Sequence, residues 1–374
     1  MGKASFGPGR AGTVAAALWL AALVALAAAT PALAVDGQIE VSQAGIEAGA
    51  GFPHTISEPG SYKLTSNLQV PPTAAGGILI TASDVTLDLN GFQILGPGAA
   101  DAYGIRIGGA AVPTGVTIRN GTVRGMSGIG VHAVAAATPT SANVSCEAVN
   151  AIGNGGGGLS LQSGGAAVRC LARDNTGSGI AVTNGLVREC VAVNNTGDGI
   201  NASASTVSRC QAIGHVSPVG AGIRAFRATV EDSACTGNAF GIRAEESTIR
   251  GSTVGLTSAA DAVGIQNNLG GLIEGCTVKG GITNQLAIGI ISGGTLIRGS
   301  SIVISGAGNV GVQASSGTHL LDNNIEVSDG TAIQFGSSDV AFGGNRIRGQ
   351  SGTPISGSAT AIEANIINGA RVAP

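Results

Sequence analysis

The chain has 374 residues, of which 63 are Gly, with 43% hydrophobic, 3% aromatic and only 11% charged residues. Its 19 basic and 22 acidic side chains leave a net charge of −3, so it lacks the basic stripe that a nucleic-acid surface needs. The Gly residues follow no collagen-like triplet and belong to turns.

The first 34 residues read as a secretion leader. Lys3 and Arg10 give a basic start, Val14 to Ala29 is an apolar run, and Ala32-Leu33-Ala34 has the small-x-small form of a cleavage site. Cleavage after Ala34 predicts a secreted or periplasmic protein beginning at Val35. The apolar run is short for a spanning helix and no charged stop-transfer segment follows, so no membrane span is expected in the mature chain. Loss of Lys3 and Arg10, with no acidic residue, takes the net charge from −3 to −5. Residues 35–75 are expected to form an N-terminal capping segment and 76–374 the body of the fold.

That body repeats itself. A Gly-Ile step or a close variant recurs about every 20 to 25 residues, from Gly104-Ile105 to Ala332-Ile333. The apolar member forms one column: Ile105, Ile129, Leu159, Ile180, Ile200, Ile223, Ile242, Ile265, Ile290, Val312, Ile333 and Ile355. A small or polar residue forms a second, running Asn90, Gly121, Cys146, Cys170, Cys190, Cys210, Ser233, Ser252, Cys276, Ser300, Asn324, Asn345 and Asn365. A period this short, without helical spacing, is that of a β-solenoid of roughly 12 to 14 rungs. Strands about 4.8 Å apart then build an all-β stack on the order of 60 Å long.

The columns suggest structural roles. Stacked Asn side chains bond along the axis of parallel strands, and Asn90, Asn324, Asn345 and Asn365 fit such a ladder. Residues just outside the second apolar position alternate in sign (Arg188, Glu231, Arg250, Glu274, Arg298, Asp322), which reads as a solvated face with weak inter-rung ion pairs. The Cys residues at 170, 190 and 210 stand 20 residues apart. In-register side chains on parallel strands point the same way, which strains a bridge, so all six Cys are expected as free, buried, small core residues. No CxxC and no His accompanies them, so no metal site is expected.

The residue after each column Ile points outward. Arg106, Asn201, Arg224, Arg243, Gln266, Gln313 and Gln334 therefore form a polar strip of cations and amides. Connector lengths vary mainly before the Gly-Ile strand, and insertions gathered on one edge often mark a binding face. The strip reads either as a solvated strand face with stacked amides or as a shallow groove for an extended, acidic glycan. In the second case Arg224 and Arg243 pair carboxylates, while Asn201 and Gln266 bond hydroxyls. His215, in a longer connector, is expected near the same place, and a lone loop His is usually just solvated. The scarcity of aromatics tells against a strong sugar site.

The stretch Gly76-Gly77-Ile78-Leu79-Ile80, running into Asp84-Val85-Thr86-Leu87-Asp88-Leu89-Asn90-Gly91-Phe92, resembles the opening rungs of right-handed parallel β-helix repeat proteins of the pectate-lyase-like superfamily. His54 to Tyr62 looks like the capping strand that precedes those rungs. Asn194-Asn195-Thr196-Gly197-Asp198-Gly199-Ile200 is similar to repeats of periplasmic carbohydrate-binding and sugar-hydrolase modules. The resemblance implies a single-stranded right-handed parallel β-helix over nearly the whole mature chain. It does not imply one activity, because this fold hosts lyases, hydrolases, epimerases, adhesins and inert spikes.

The sequence departs from the catalytic members. Asn-Thr-Asp, Asp-Asp and Arg-Ile-Lys motifs are absent, Gly214-His215 is followed by Val216, and there is no Asp-Pro-His. Asp174 and Asp198 fall at different offsets from their ladder Cys, and no carboxylate pair stands at glycosidase register. No catalytic residue is assigned. Three classes stay open: an exported β-helix protein that binds envelope or extracellular polysaccharide without catalysis, which the strip favours; a polysaccharide lyase or glycoside hydrolase with a divergent site; and a purely structural surface protein or adhesin. No cofactor is expected, and Ca²⁺ enters only under the lyase reading. The partner under the first class is an extended, acidic polysaccharide, with no nucleic acid and no assigned oligomeric state.

Overall fold

In the computed structural model the described residues are 2, 37–109, 112–133, 143–162, 164–215, 217, 220–256, 262–281, 286–349 and 353–373. The expected leader, apart from Gly2, lies outside them. Contacts divide the chain into Met1–Ile39 and Glu40–Pro374, and the second unit is the solenoid. It is a right-handed parallel β-helix of about 13 turns, 55% strand and 2% helix.

A typical turn has three strands, such as Ile200–Ser203, Thr206–Ser208 and Gln211–Ile213. Each pairs in parallel with its counterpart one turn on, here Ala221–Phe226, Thr229–Glu231 and Ala234–Thr236. Alternation along each strand sends one apolar column inward per face. On the first face Ile180, Ile200, Ile223, Ile242 and Ile265 stack in register and are fully buried. Each such side chain contributes roughly 1.5–3 kcal/mol by leaving water. Because every rung buries its own aliphatic side chain, the core lengthens along the axis without thickening.

The first turn begins earlier than the sequence suggests. His54–Ile56, Gly60–Leu64 and Leu68–Gln69 already pair in parallel with Gly76–Ile80, Val85–Asp88 and Gln93–Leu95. Ahead of them the short helix Gln43–Ala48 buries Ile46 in the core. Its N-cap Ser42 accepts a hydrogen bond from the Gly45 amide at 3.1 Å. At the far end Asn365–Ile367 and Ala370–Val372 form an antiparallel pair.

The small-residue ladder exists, with corrections. Its members follow directly on a residue in the left-handed conformation: Arg209 before Cys210, Asp232 before Ser233, Gly299 before Ser300, Asp322 before Asn323, Gly344 before Asn345. The ladder residue in its rung is therefore Asn323, which is buried, while Asn324 starts the next strand and is exposed. Asn323 and Asn345 each donate through Nδ2 to the Oδ1 of the next Asn at 3.0 Å, ending on Asn365. Cys146 does not belong to this column, since it pairs with Ile118 and Ala167 on the apolar second face. Asn90 is exposed, has φ +51°, and reaches the Leu64 carbonyl instead. All six Cys are free and buried.

Four of the six alternating charges on the second face pair between turns, while Arg188 lies 3.9 Å from its own neighbour Glu189. Arg250 lies 3.0 Å from Glu274 and 4.0 Å from Glu231, and Arg298 also reaches Glu274.

Candidate binding face

The strip inferred from the sequence is one continuous column of the first face. Asn201 on Ile200–Ser203 stands opposite Arg224 on Ala221–Phe226. Arg224 stands opposite Arg243 on Phe240–Arg250, and Arg243 opposite Gln266 on Ala262–Glu274. The column continues through Ile291 to Gln313 and Gln334, where one amide donates to the next at 3.4 Å. In the other direction it runs through Ala181, Ser160 and His132 to Arg106.

Sequence spacing misses His132 because it matches the Gly-Ile step two residues early. Val131, not Ile129, occupies the buried column against Ile105 and Leu159. Ile129 lies in a turn, and the residue after Val131 therefore joins the strip. The sequence carries a signal for this in Gly130-Val131, a second Gly-aliphatic step directly after the first.

The centre of the column is cationic and partly compensated. Arg224 is about half exposed, and its Nη1 lies 3.9 Å from Oδ2 of Asp198. Asp198 is nearly buried, and its Oδ1 accepts from the Ala221 amide at 2.9 Å. Burial pushes the Asp198 carboxyl above its ordinary range, against the pull of the Ala221 amide, Arg224, Arg243 and His215. Arg243 lies over the Phe240 ring at 5.4 Å. Arg243 makes no ion pair among the described residues. Phe226, two positions beyond Arg224 and hence on the same outward side, is 37% exposed. It borders a small cleft with Arg224, Arg243 and Glu245. The Gln266 amide oxygen finds no partner among the described residues.

His215 is placed elsewhere. It is fully buried, in a second ladder formed by Asn154, Asn175, Asn195, His215 and Asn238. Asn154 and Asn175 donate through Nδ2 to the next Asn at 2.9 and 2.8 Å. His215 Nδ1 accepts from the Asn195 amide at 3.2 Å, and the His215 amide donates to Asn238 Oδ1 at 2.9 Å. Nε2 faces the Ala192 carbonyl at 3.3 Å. Asn175, Asn195 and Asn238 cap the corresponding carbonyls of Ala151, Ala172 and Ala212 through Nδ2. His215 thus does an asparagine's work inside the wall, and burial pushes its pKa below the ordinary value. It presents no ring to a ligand on the strip.

Among the described residues no group of three or more His, Cys, Asp or Glu is placed to hold a metal ion. Among the described residues no helix is long and apolar enough to cross a membrane.

No protein-family model matches the chain, and no curated protein is similar enough in sequence to count as a relative. Solved structures are similar in shape. The Azotobacter vinelandii mannuronan C-5 epimerase AlgE4 A-module is 14% identical, with TM-score 0.42, over 87% of this chain and 89% of that one. PfbA, a surface adhesin of Streptococcus pneumoniae, is 9% identical with TM-score 0.42, over 88% and 89%. The tailspike gp49 from Acinetobacter baumannii bacteriophage Fri1, a capsular polysaccharide depolymerase, is 10% identical with TM-score 0.38, over 87% and 64%.

Proposed function

We propose that the protein binds an extended, acidic polysaccharide along the outward column of its first face, without cleaving it. The observation that carries this is the state of the arginines. On the second face Arg250 and Arg298 are matched to carboxylates. On the first, Arg224 and Arg243 stand side by side: Arg224 has the nearly buried Asp198 3.9 Å away, Arg243 makes no ion pair among the described residues although Glu245 lines the same cleft, and the amides of Asn201 and Gln266 flank the two. Like charges directly opposite on neighbouring strands are unfavourable, and an anionic ligand would relieve them. The exposed ring of Phe226 adds an apolar edge at that point. With the leader expected over residues 1–34, the ligand would be met in the envelope or outside the cell.

The test is a titration of polygalacturonate and polymannuronate against wild type and an Arg224→Gln/Arg243→Gln variant at two salt concentrations. Charge-assisted contacts are each worth about 1.5–3 kcal/mol, so the variant should bind at least about tenfold more weakly. Unchanged affinity moves the site off this column, and no affinity in the wild type favours a structural protein. A second reading, an enzyme, draws on Asp198, a nearly buried carboxyl of raised pKa beside two arginines. New reducing or unsaturated chain ends appearing on incubation would select it.

A further inference from the structure

We infer that the column holds two separate anchors for one acidic chain, the second being a cleft around Tyr103, Arg106 and His132 that takes a single uronate ring. This rests on the polysaccharide reading above. The cleft has a volume of about 460 Å³, within the range of small-molecule sites. Arg106 and His132 are direct neighbours in the same outward column as Arg224 and Arg243, on Tyr103–Ile107 and Val131–Ala133.

The chemistry of the walls selects the ligand. Arg106 is exposed, lies over the Tyr103 ring at 5.4 Å, and makes no ion pair among the described residues. His132 is half-buried, and burial together with the Arg106 charge keeps its pKa below the ordinary value. At neutral pH it is a hydrogen-bonding imidazole rather than a second cation. Asp101 lines the same cleft, so a bare anion would meet a negative charge. A ring with both a carboxylate and hydroxyls matches the set: the carboxylate on Arg106, hydroxyls donating to Asp101 and bonding His132. Gly128 and Gly156 stack backbone to backbone at 2.9 Å, and neither brings a side chain into the space.

Among the described residues, the column between the anchors carries short side chains at its middle. From Arg106 the column passes His132, Ser160, Ala181 and Asn201 before reaching Arg224. These five strand steps span about 24 Å at the usual spacing. Ser160 and Ala181 are small, and Thr183 and Ser203 pair beside them with short hydroxyl side chains. A chain long enough to reach both ends engages the second anchor intramolecularly, which raises avidity by about 10²-fold or more. A shorter chain holds one end only. The column would therefore discriminate acidic chains by length.

Calorimetric titration with galacturonate and mannuronate oligomers of three and of ten rings tests this. In wild type the short oligomer of the preferred uronate should bind weakly at two places per chain, and the long one once and at least about tenfold more tightly. Arg106→Gln should bring the ten-ring affinity down by at least about tenfold and leave one three-ring site, at Arg224 and Arg243. His132→Gln is the second variant, expected to weaken the same site, and circular dichroism checks that both are folded. A folded Arg106→Gln protein with unchanged ten-ring affinity overturns the second anchor while the polysaccharide reading stands. Equal affinities for short and long oligomers in wild type overturn it too. No binding of either series removes both.

Discussion

Arg224 and Arg243 face each other across adjacent parallel strands, with the nearly buried Asp198 3.9 Å from Arg224 and Glu245 on the cleft that the two arginines border. Two like charges in register would ordinarily weaken a strand pair. Here the nearly buried carboxylate offsets part of that repulsion while leaving Arg224 about half exposed and Arg243 partly exposed. With Glu245 on the same cleft, the stretch brings two guanidinium groups and two carboxylates together.

Asp198 gives a stability prediction with a definite sign. Its carboxyl is raised above 3.8, first by burial, so the folded state holds the proton more tightly than the unfolded state. That contribution is full below pH 3.8 and is lost as pH rises through the folded value. Asp198→Asn is uncharged throughout and keeps an oxygen for the Ala221 amide. Urea midpoints should show the variant at least as stable as wild type at pH 7, with the advantage gone near pH 3. A variant clearly weaker at pH 7 would mean that attraction to Arg224 and Arg243 outweighs desolvation.

His215 behaves in the opposite sense. Its pKa is lowered from 6.5 by burial, so its contribution is present above pH 6.5 and is lost as pH falls through the folded value. His215→Asn should keep the ladder, stay within about 1 kcal/mol of wild type at pH 7, and be less sensitive to acid. His215→Ala should lose about 1–3 kcal/mol, because the Asn195 amide is left buried without its acceptor. Thermal melts from pH 7 to 5 on the three proteins measure both effects. Polysaccharide affinity should not change in His215→Asn, since the ring lies inside the wall.

The ladder should outweigh the ion pairs. Glu274→Gln removes contacts to Arg250 and Arg298, both about half exposed, and should cost no more than about 1 kcal/mol. Asn345→Ala leaves the Asn323 amide and the Leu320 carbonyl without their buried partners, at about 1–3 kcal/mol for each group. Denaturant titration of both variants should rank them in that order. A larger loss for Glu274→Gln would show that the charge ladder, not the amide ladder, holds the turns in register.

The six Cys should all be reactive only after unfolding. Burial pushes the Cys276 thiol up to about 11 and Cys146 and Cys235 higher than usual; the hydrogen bond with Cys190 draws Cys170 and Cys210 down, so for those two it is burial that keeps reagents away. Alkylation under denaturing, non-reducing conditions should label six per chain, and native alkylation close to none. Four or fewer labels on the denatured chain would mean a bridge.

The outward column is legible in the sequence alone, because strand alternation and one repeating buried Ile fix which residues share a face. Asn201, Arg224, Arg243 and Gln266 align by counting from Ile200, Ile223, Ile242 and Ile265. Counting fails where the chain turns. It misplaces Ile129 by two residues and Asn324 by one, because a left-handed residue or a glycine turn resets the register and composition alone does not mark where. The role of His215 is also beyond the sequence. A His in a connector looks the same whether it is solvated or buried, and only the stacking of Asn195 on one side of it and Asn238 on the other decides that its nitrogens are already used. The same holds for Asp198 and the cleft at Arg106 and His132. Their neighbours lie one full turn away along the chain, so what they can bind is decided by which turns stack on which.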